Sequence, residues 1–170
     1  MNLKSLLASG VVVLLMSSLP IAAFGESYGA AGAKSMSDKS FTLEQMLRFA
    51  IEDEYLARGE YQKIIETYGS RKPYSNIVKA EERHISWLEP LFTKYGFALP
   101  ADKGLESAVL PATYQETFPI GVTAEVNNIA MYERFLKQDL PSDVKDVFIR
   151  LRDASKNHLA AFQKFQTRFQ

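Results

Sequence analysis

The sequence predicts an all-α protein, an antiparallel four-helix bundle with a long crossover between its second and third helices. Four stretches of the 170-residue chain carry apolar residues at every third or fourth position, which is typical of helices that bury one face. Residues 96 to 118, between the second and third stretches, contain Pro100 and Pro111 and are too long for a tight hairpin. Because a segment of that length can run along the bundle, we expect helices two and three to be parallel.

The composition suits one globular domain and excludes several kinds of function. The chain is 46% hydrophobic and 24% charged, as ordinary soluble domains are. Lys and Arg together number 20, as do Asp and Glu, so no basic field predicts nucleic-acid binding. Cysteine is absent, which excludes disulfides, thiolate ligands, iron–sulfur clusters and cysteine nucleophiles. The only two histidines are His84 and His158.

The first 25 residues have the pattern of a secretory signal peptide. Lys4 precedes an apolar stretch at residues 6–16, and Ala23 and Gly25 are small residues suited to cleavage. We therefore expect a bacterial protein that is periplasmic or secreted, without stable membrane association after cleavage; the alternative is an uncleaved anchor. Residues 26–40 are rich in Ser, Gly and Ala and predict a flexible tether. The helical domain then covers residues 41–170.

The first two predicted helices have clear ends. Thr42 is a good N-cap, and Gln45 is placed to complete a capping box. Helix one runs from there to about Tyr68, and Gly69 ends it. Helix two covers residues 74–95, ends at Gly96 and contains Pro90, which should kink it.

The second helix pair follows the crossover, which we expect to hold at most a short helix at about residues 112–117. Helix three covers residues 120–139. Pro141 and Ser142 break the chain, and helix four covers residues 143–168. The two pairs resemble each other, because Glu54 precedes His84 by 30 residues and Glu125 precedes His158 by 33.

The inward-facing positions of the four helices are apolar except for a few residues near mid-helix. These are Glu54, Glu81, His84, Glu125, Ser155 and His158. Glu81 and His84, three residues apart, lie about 4.5 Å apart along the helix axis. A buried carboxylate without compensation costs several kcal/mol, and no Lys or Arg shares these faces. The set predicts a metal site; the alternative is a hydrogen-bonded Glu–His layer that fixes helix register. The acids off this face, including Glu52 and Asp53, should be solvated.

The pattern resembles the ferritin-like superfamily of di-iron and di-manganese carboxylate bundles. In that plan two helices each give one Glu, and the other two each give Glu-x-x-His. The sequences around Ala80-Glu-x-x-His84, Asp53-Glu-Tyr55 and 154–162 look most like the uncharacterised DUF2202 family. The resemblance implies five metal ligands: Glu54, Glu81, His84, Glu125 and His158. It implies iron, one or two ions per chain, with manganese and zinc as alternatives.

The second motif departs from that plan, because Ser155 stands where a Glu is expected. The serine hydroxyl should bond the carbonyl of Leu151 one turn back, and Asn128 could offer a carbonyl oxygen to a second ion. We therefore expect occupancy near one ion per chain. Tyr61 and Tyr132, each seven residues after a ligand Glu, are either core aromatics or hydrogen-bond partners of the ligand carboxylates.

These residues lead to three functional hypotheses. The first is a redox protein that reacts with dioxygen or peroxide, an oxidoreductase of the di-iron type. The second is a module that binds or buffers a divalent metal without turnover, and the third is a structural bundle without metal. The sequence names no catalytic residue and leaves the oligomeric state open, a dimer being one alternative.

Overall fold

The described part of the chain is all-α, as predicted. The computed structural model describes residues 28–36 and 40–169, in which there are six helices and no strand. The helices are α1 (Gly29–Ser35), α2 (Leu43–Tyr68), α3 (Tyr74–Tyr95), α4 (Gly104–Ser107), α5 (Thr117–Phe135) and α6 (Ser142–Gln166). The predicted signal peptide lies outside these residues. Within them, no helix combines the length and the apolar character needed to span a membrane.

The four predicted helices correspond to α2, α3, α5 and α6. The capping box of α2 is confirmed: the Thr42 hydroxyl accepts a hydrogen bond from the Gln45 backbone N–H, and the Gln45 side chain accepts one from the Thr42 N–H. Helix α3 has the predicted ends, and Gly96 after it adopts φ 71°. Helix α5 begins and ends earlier than predicted, at 117 and 135. Thr113 and Glu116 explain the early start, since they exchange capping-type hydrogen bonds just before it.

Contacts along the long helices give their relative directions. On α2, Glu54 contacts His84 while Tyr61, two turns later, contacts the earlier Tyr74 of α3. Glu54 likewise bonds Tyr132, while Tyr61 bonds the earlier Glu125 of α5. Helices α3 and α5 are therefore both antiparallel to α2 and point the same way, joined by residues 96–116.

Two hydrophobic clusters form the core, one on each side of a polar layer. The larger cluster includes Leu47, Leu88 and Phe148, together with apolar residues of α1 and α5. The smaller cluster is mostly aromatic and includes Tyr74 and Phe162. Along each long helix, the predicted polar residues lie between residues of the larger cluster and residues of the smaller one. Apolar packing above and below thus separates the layer from bulk water.

The chain between α3 and α5 packs its backbone directly against α2. A Cβ atom on Gly104 would lie 1.8 Å from the Tyr55 carbonyl oxygen, and one on Gly59 would lie 2.4 Å from the Gly104 carbonyl carbon. Only glycine permits this approach. The short helix of this segment forms here, at residues 104–107, so the prediction of one at about 112–117 is wrong. That stretch instead forms the turn that leads into α5.

The prediction of a flexible tether at residues 26–40 is also wrong in part, because residues 29–35 form α1. Its small residues lie against α2 and α5, and Ala33 is 0% exposed. Gly29 has φ +55°, and a Cβ there would lie 2.6 Å from the Asp53 side chain. The Gly and Ala content that suggested flexibility is what allows the backbone of this segment to approach the long helices so closely.

Candidate metal centre

The five predicted metal ligands meet in the polar layer, one or two from each long helix. They are buried, with exposed fractions from 2% for Glu81 to 9% for His158. They fall into two groups of three, in each of which the potential ligand atoms lie within 4.8 Å of one another. The first group is Glu54, Glu81 and His84, and the second is Glu81, Glu125 and His158.

Glu81 belongs to both groups and turns one carboxylate oxygen toward each histidine. Its Oε2 lies 2.8 Å from His84 Nδ1, and its Oε1 lies 3.3 Å from His158 Nδ1. Glu54 Oε2 lies 3.0 Å from His84 Nδ1, and Glu125 Oε1 lies 3.4 Å from His158 Nδ1. The two imidazole rings are 5.7 Å apart and nearly parallel. Glu81 is thus placed to connect two adjacent half-sites.

The two tyrosines bond the ligand carboxylates crosswise between α2 and α5. The Tyr61 hydroxyl of α2 donates to Glu125 Oε1 of α5 at 3.1 Å, and the Tyr132 hydroxyl of α5 donates to Glu54 Oε1 at 2.8 Å. Both phenols are buried, and burial raises the pKa of each well above its usual range, so they keep the protons they donate. The contacts support both predicted roles, because the two rings belong to the hydrophobic clusters and the hydroxyls bond carboxylates predicted as ligands.

The electrostatics of the layer reflect its excess of carboxylates. Burial by itself would lower the pKa of His84, but Glu54 and Glu81 raise it to about 10. Burial would raise the pKa of Glu54, but the charge on His84 holds it below its usual range. Burial raises the pKa of Glu81 well above its usual range. Three carboxylates thus face two imidazoles, and either protons or a cation must balance them.

Ser155, which replaces the expected glutamate, begins a chain of hydrogen bonds away from the centre. Its hydroxyl lies 3.0 Å from the Leu151 carbonyl, as predicted, and 2.6 Å from Asn128 Oδ1. The Asn128 amide donates to Asp53 Oδ2, and Asp53 Oδ1 accepts from the Ala30 backbone N–H at 2.7 Å. Asn128 therefore turns its oxygen toward Ser155 and its nitrogen toward Asp53.

The prediction that Glu52 and Asp53 are solvated is wrong, because α1 covers both. Glu52 is 3% exposed, lies 2.8 Å from Arg48 and accepts from the Gly29 N–H. Burial raises the pKa of Asp53 to about 7, against the opposing effect of hydrogen bonds from Asn128 and Ala30. The sequence signal for this contact is the run of small residues in α1, which lets the backbone of that helix approach α2.

A cavity of about 20 Å³ lies on the Ser155 side of the layer. Its lining includes four of the predicted ligands, Glu54, Glu81, Glu125 and His158, together with Asp53, Asn128 and Ser155. A space of that size holds about one water molecule. The half-site with His158 therefore has room for a small additional ligand where the serine replaces a longer side chain.

The donor set fits a first-row divalent metal. Three carboxylates and two imidazoles supply oxygen and nitrogen ligands of the kind that iron, manganese and zinc take in proteins. The hydrogen bonds from Tyr61 and Tyr132 orient two of the carboxylates, as outer-shell partners do in metalloproteins. The fit rests on the chemistry of the donors and on their gathering in two groups.

Fold and site together define an all-α protein with a buried layer of glutamates and histidines contributed by four helices. The chain belongs to the DUF2202 family, described as an uncharacterized protein domain, whose model matches residues 43–167. The predicted resemblance to this family is thereby confirmed. None of the curated proteins matches the chain.

One solved structure resembles the chain in fold. It is the crystal structure of a hypothetical protein from Methanococcus jannaschii, with a TM-score of 0.68 and 21% sequence identity. The similarity covers 78% of this chain and 85% of that one. At this identity the likeness concerns the fold alone.

Proposed function

We propose that this protein is an exported ferritin-like metalloprotein that binds iron in the Glu–His layer and uses it in redox chemistry with dioxygen or peroxide. The observation that carries the proposal is the position of Glu81, whose two oxygens face the two histidines of adjacent half-sites. A carboxylate shared in this way suits a pair of neighbouring metal positions. Glu54 and Glu81 also converge on the single Nδ1 of His84, which has at most one hydrogen to donate.

The fold proposed with this function is an antiparallel four-helix bundle of ferritin-like topology. The common direction of α3 and α5 supports it, since only a long crossover such as residues 96–116 can join two consecutive bundle helices that run the same way. Each of α2 and α5 gives one Glu, α3 gives Glu-x-x-His, and α6 gives Ser-x-x-His. This arrangement is the di-iron plan with one carboxylate replaced.

The residues of the layer have distinct roles in the proposal. Glu54, Glu81 and Glu125 neutralise the charge of the cation, and the two histidines complete its ligands. Bound iron would supply the electrons for reduction of the oxidant. Tyr61 and Tyr132 hold the outer carboxylates in place, and the hydrophobic clusters on either side exclude water from the reaction.

The two half-sites should differ in affinity. The group with His84 has its carboxylate oxygens at 2.8 and 3.0 Å from Nδ1, whereas the group with His158 has them at 3.3 and 3.4 Å and lacks the fourth carboxylate. We therefore expect a tight first ion at Glu54, Glu81 and His84, and a weaker second one. Occupancy near one ion per chain follows.

Metal analysis and anaerobic titration test the proposal. Protein purified without a histidine tag should contain iron close to one equivalent, and ferrous iron added to the chelator-treated protein should restore it. Exposure to oxygen should then oxidise the iron faster than in buffer. A protein that takes up no ferrous iron, manganese or zinc would disprove the metal site.

Metal binding without turnover is the second candidate, and the burial of the layer favours it. The cavity beside His158 has room for about one water molecule, which restricts the approach of an oxidant. In this case the loaded protein would hold its ion in air with no oxygen consumption above buffer. Oxygen-electrode measurements on the loaded protein separate the two candidates.

Export is proposed from residues 1–25 alone. The test is the mass of the mature protein recovered from a bacterial periplasm. Cleavage after about residue 25 would support export, and a full-length protein in the membrane fraction would support the anchor.

A further inference from the structure

Ser155 stands where the di-iron plan has a glutamate, and the polar side chains linked to it make no hydrogen bond to the histidines within the described residues. Ser155, Asn128 and Asp53 form a continuous chain of hydrogen bonds there, and the Ala30 backbone N–H of α1 ends it. All three side chains also line the cavity, which is the open space of the centre itself because Glu54, Glu81, Glu125 and His158 line it too. The chain therefore faces the centre.

The bonds within this chain fix the orientation of the Asn128 amide. Asp53 accepts from its nitrogen, and Ser155 donates to its oxygen. A primary amide has two N–H groups. Within the described residues only one N–H group of Asn128 makes a hydrogen bond, to Asp53. A serine hydroxyl that donates its single hydrogen still has lone pairs to accept with. The wall thus offers a donor and an acceptor to whatever occupies the cavity.

We propose that Asn128 and Ser155 bind and orient a ligand of one or two heavy atoms in this cavity, with Asp53 as the positioning residue. The chemical class is water, hydroxide or a diatomic oxygen species, because a cavity of about 20 Å³ excludes organic substrates. The inference rests on the proposed metal function, since the cavity borders the half-site of Glu125 and His158. It assigns the replacement of glutamate by serine a purpose, which is to make room for this ligand.

Helix α1 takes part by holding Asp53. Its Ala30 N–H occupies Asp53 Oδ1 at 2.7 Å, which leaves Oδ2 for the amide of Asn128. Arg134 of α5 holds the other end of α1 through the carbonyls of Ala33 and Met36. Helix α1, which contributes no metal ligand, therefore helps to fix the orientation of the Asn128 amide.

The test is the binding of nitric oxide, a diatomic probe, to the ferrous-loaded full-length protein without oxygen. Loss of one hydrogen bond to the bound probe weakens affinity by about tenfold, so Asn128→Ala should raise the dissociation constant by that factor. The electron paramagnetic resonance spectrum of the complex should change shape as well. Iron affinity, measured by competition with a chelator, should stay unchanged because the Asn128 amide turns its oxygen to Ser155 and its nitrogen to Asp53 and so gives the metal no ligand.

Two further variants complete the design. Asp53→Asn keeps the size of the side chain and can still accept from Ala30, so it should fold normally and weaken nitric oxide binding in the same direction. Asn127→Ala is the matched control, since Asn127 is adjacent on α5 but does not line this cavity. It should bind the probe as the unmodified protein does.

The outcomes separate this inference from the proposed function. Equal nitric oxide affinity and spectra in Asn128→Ala, Asp53→Asn and the unmodified protein would overturn the inference and leave the metal site intact. A parallel loss of iron affinity in Asn128→Ala would also overturn it, because the amide would then act on the metal. Failure of the unmodified protein to bind iron would refute the proposed function, and the inference with it.

Discussion

Replacing the shared carboxylate by Glu81→Gln should leave the stability of the metal-free protein nearly unchanged and abolish metal binding. An ionised Glu81 in the metal-free layer would be repelled by Glu54 and Glu125, whose ligand atoms lie within 4.8 Å of its own. At an effective dielectric constant of about 20 each repulsion costs about 3.5 kcal/mol. The attraction to His84 at 2.8 Å returns about 6 kcal/mol on the same scale.

These opposing contributions nearly cancel, so the cost of burying the charge decides whether Glu81 is ionised. Burial raises the pKa of Glu81 well above its usual range, so the carboxyl keeps its proton in the metal-free layer, and Gln has nearly the shape and charge of that neutral form. The Gln amide oxygen can still accept from His84. We therefore expect Glu81→Gln to change the free energy of unfolding of the chelator-treated protein by no more than about 1 kcal/mol. The same variant should lose metal binding in both half-sites.

Urea unfolding with chelator and with added metal measures both effects. A ligand present at about 100 times its dissociation constant stabilises the native state by about 2.7 kcal/mol, and only the unmodified protein should show such a gain. Glu82→Gln is the matched control, because Glu82 is the next residue on α3 and is exposed. A loss of several kcal/mol in chelator-treated Glu81→Gln would refute the reasoning and favour the structural Glu–His layer.

Three further predictions concern other parts of the chain. Ser155→Glu should raise ferrous binding from about one equivalent toward two, and two equally tight equivalents in the unmodified protein would contradict our account of the serine. Burial raises the pKa of Glu60 from 4.5 to about 7, so the folded protein keeps a proton that the unfolded chain loses, and stability falls as pH rises through this window. Glu60→Gln should therefore raise the free energy of unfolding by about 1–2 kcal/mol at pH 7.5, after a reduction for solvent screening, and by little at pH 4.5. Equal increases at both pH values in urea unfolding would contradict this. Gly104→Ala should cost about 2 kcal/mol or more in urea unfolding, because its Cβ would meet the Tyr55 carbonyl, whereas Leu105→Ala, at an exposed position, should cost little.

The sequence predicted the long helices and the gathered residues because both depend on regular spacing. Apolar residues at helical intervals located α2, α3 and α6 closely, and the same intervals placed Glu54, Glu81 and His84 on the inner faces. Local capping signals gave the start of α2. Where an equivalent signal was overlooked, at Thr113 and Glu116, the predicted start of α5 was three residues late.

Features that depend on contacts between distant segments were not predictable from spacing. The burial of Asp53 arises from α1, which is 23 residues away in sequence, and composition alone does not distinguish a docked Gly/Ala segment from a flexible one. The crosswise bonds of Tyr61 and Tyr132 require the antiparallel pairing of α2 and α5. Gly104 and Gly59 gave no sequence signal, because a glycine needed for close approach looks the same as one in a loop.

The way α1 is held has a consequence for how this segment can vary among relatives. The bonds from Glu52, Asp53 and Arg134 all go to backbone atoms of α1, which every amino acid except proline can provide. Selection therefore acts on the size of the side chains at Gly29 and Ala33, and hardly on their chemistry. Related sequences should keep small residues at these two positions and at the buried Ala30 and Gly32 between them, while the exposed Ala31 changes freely, so a match based on residue identity would miss such a helix.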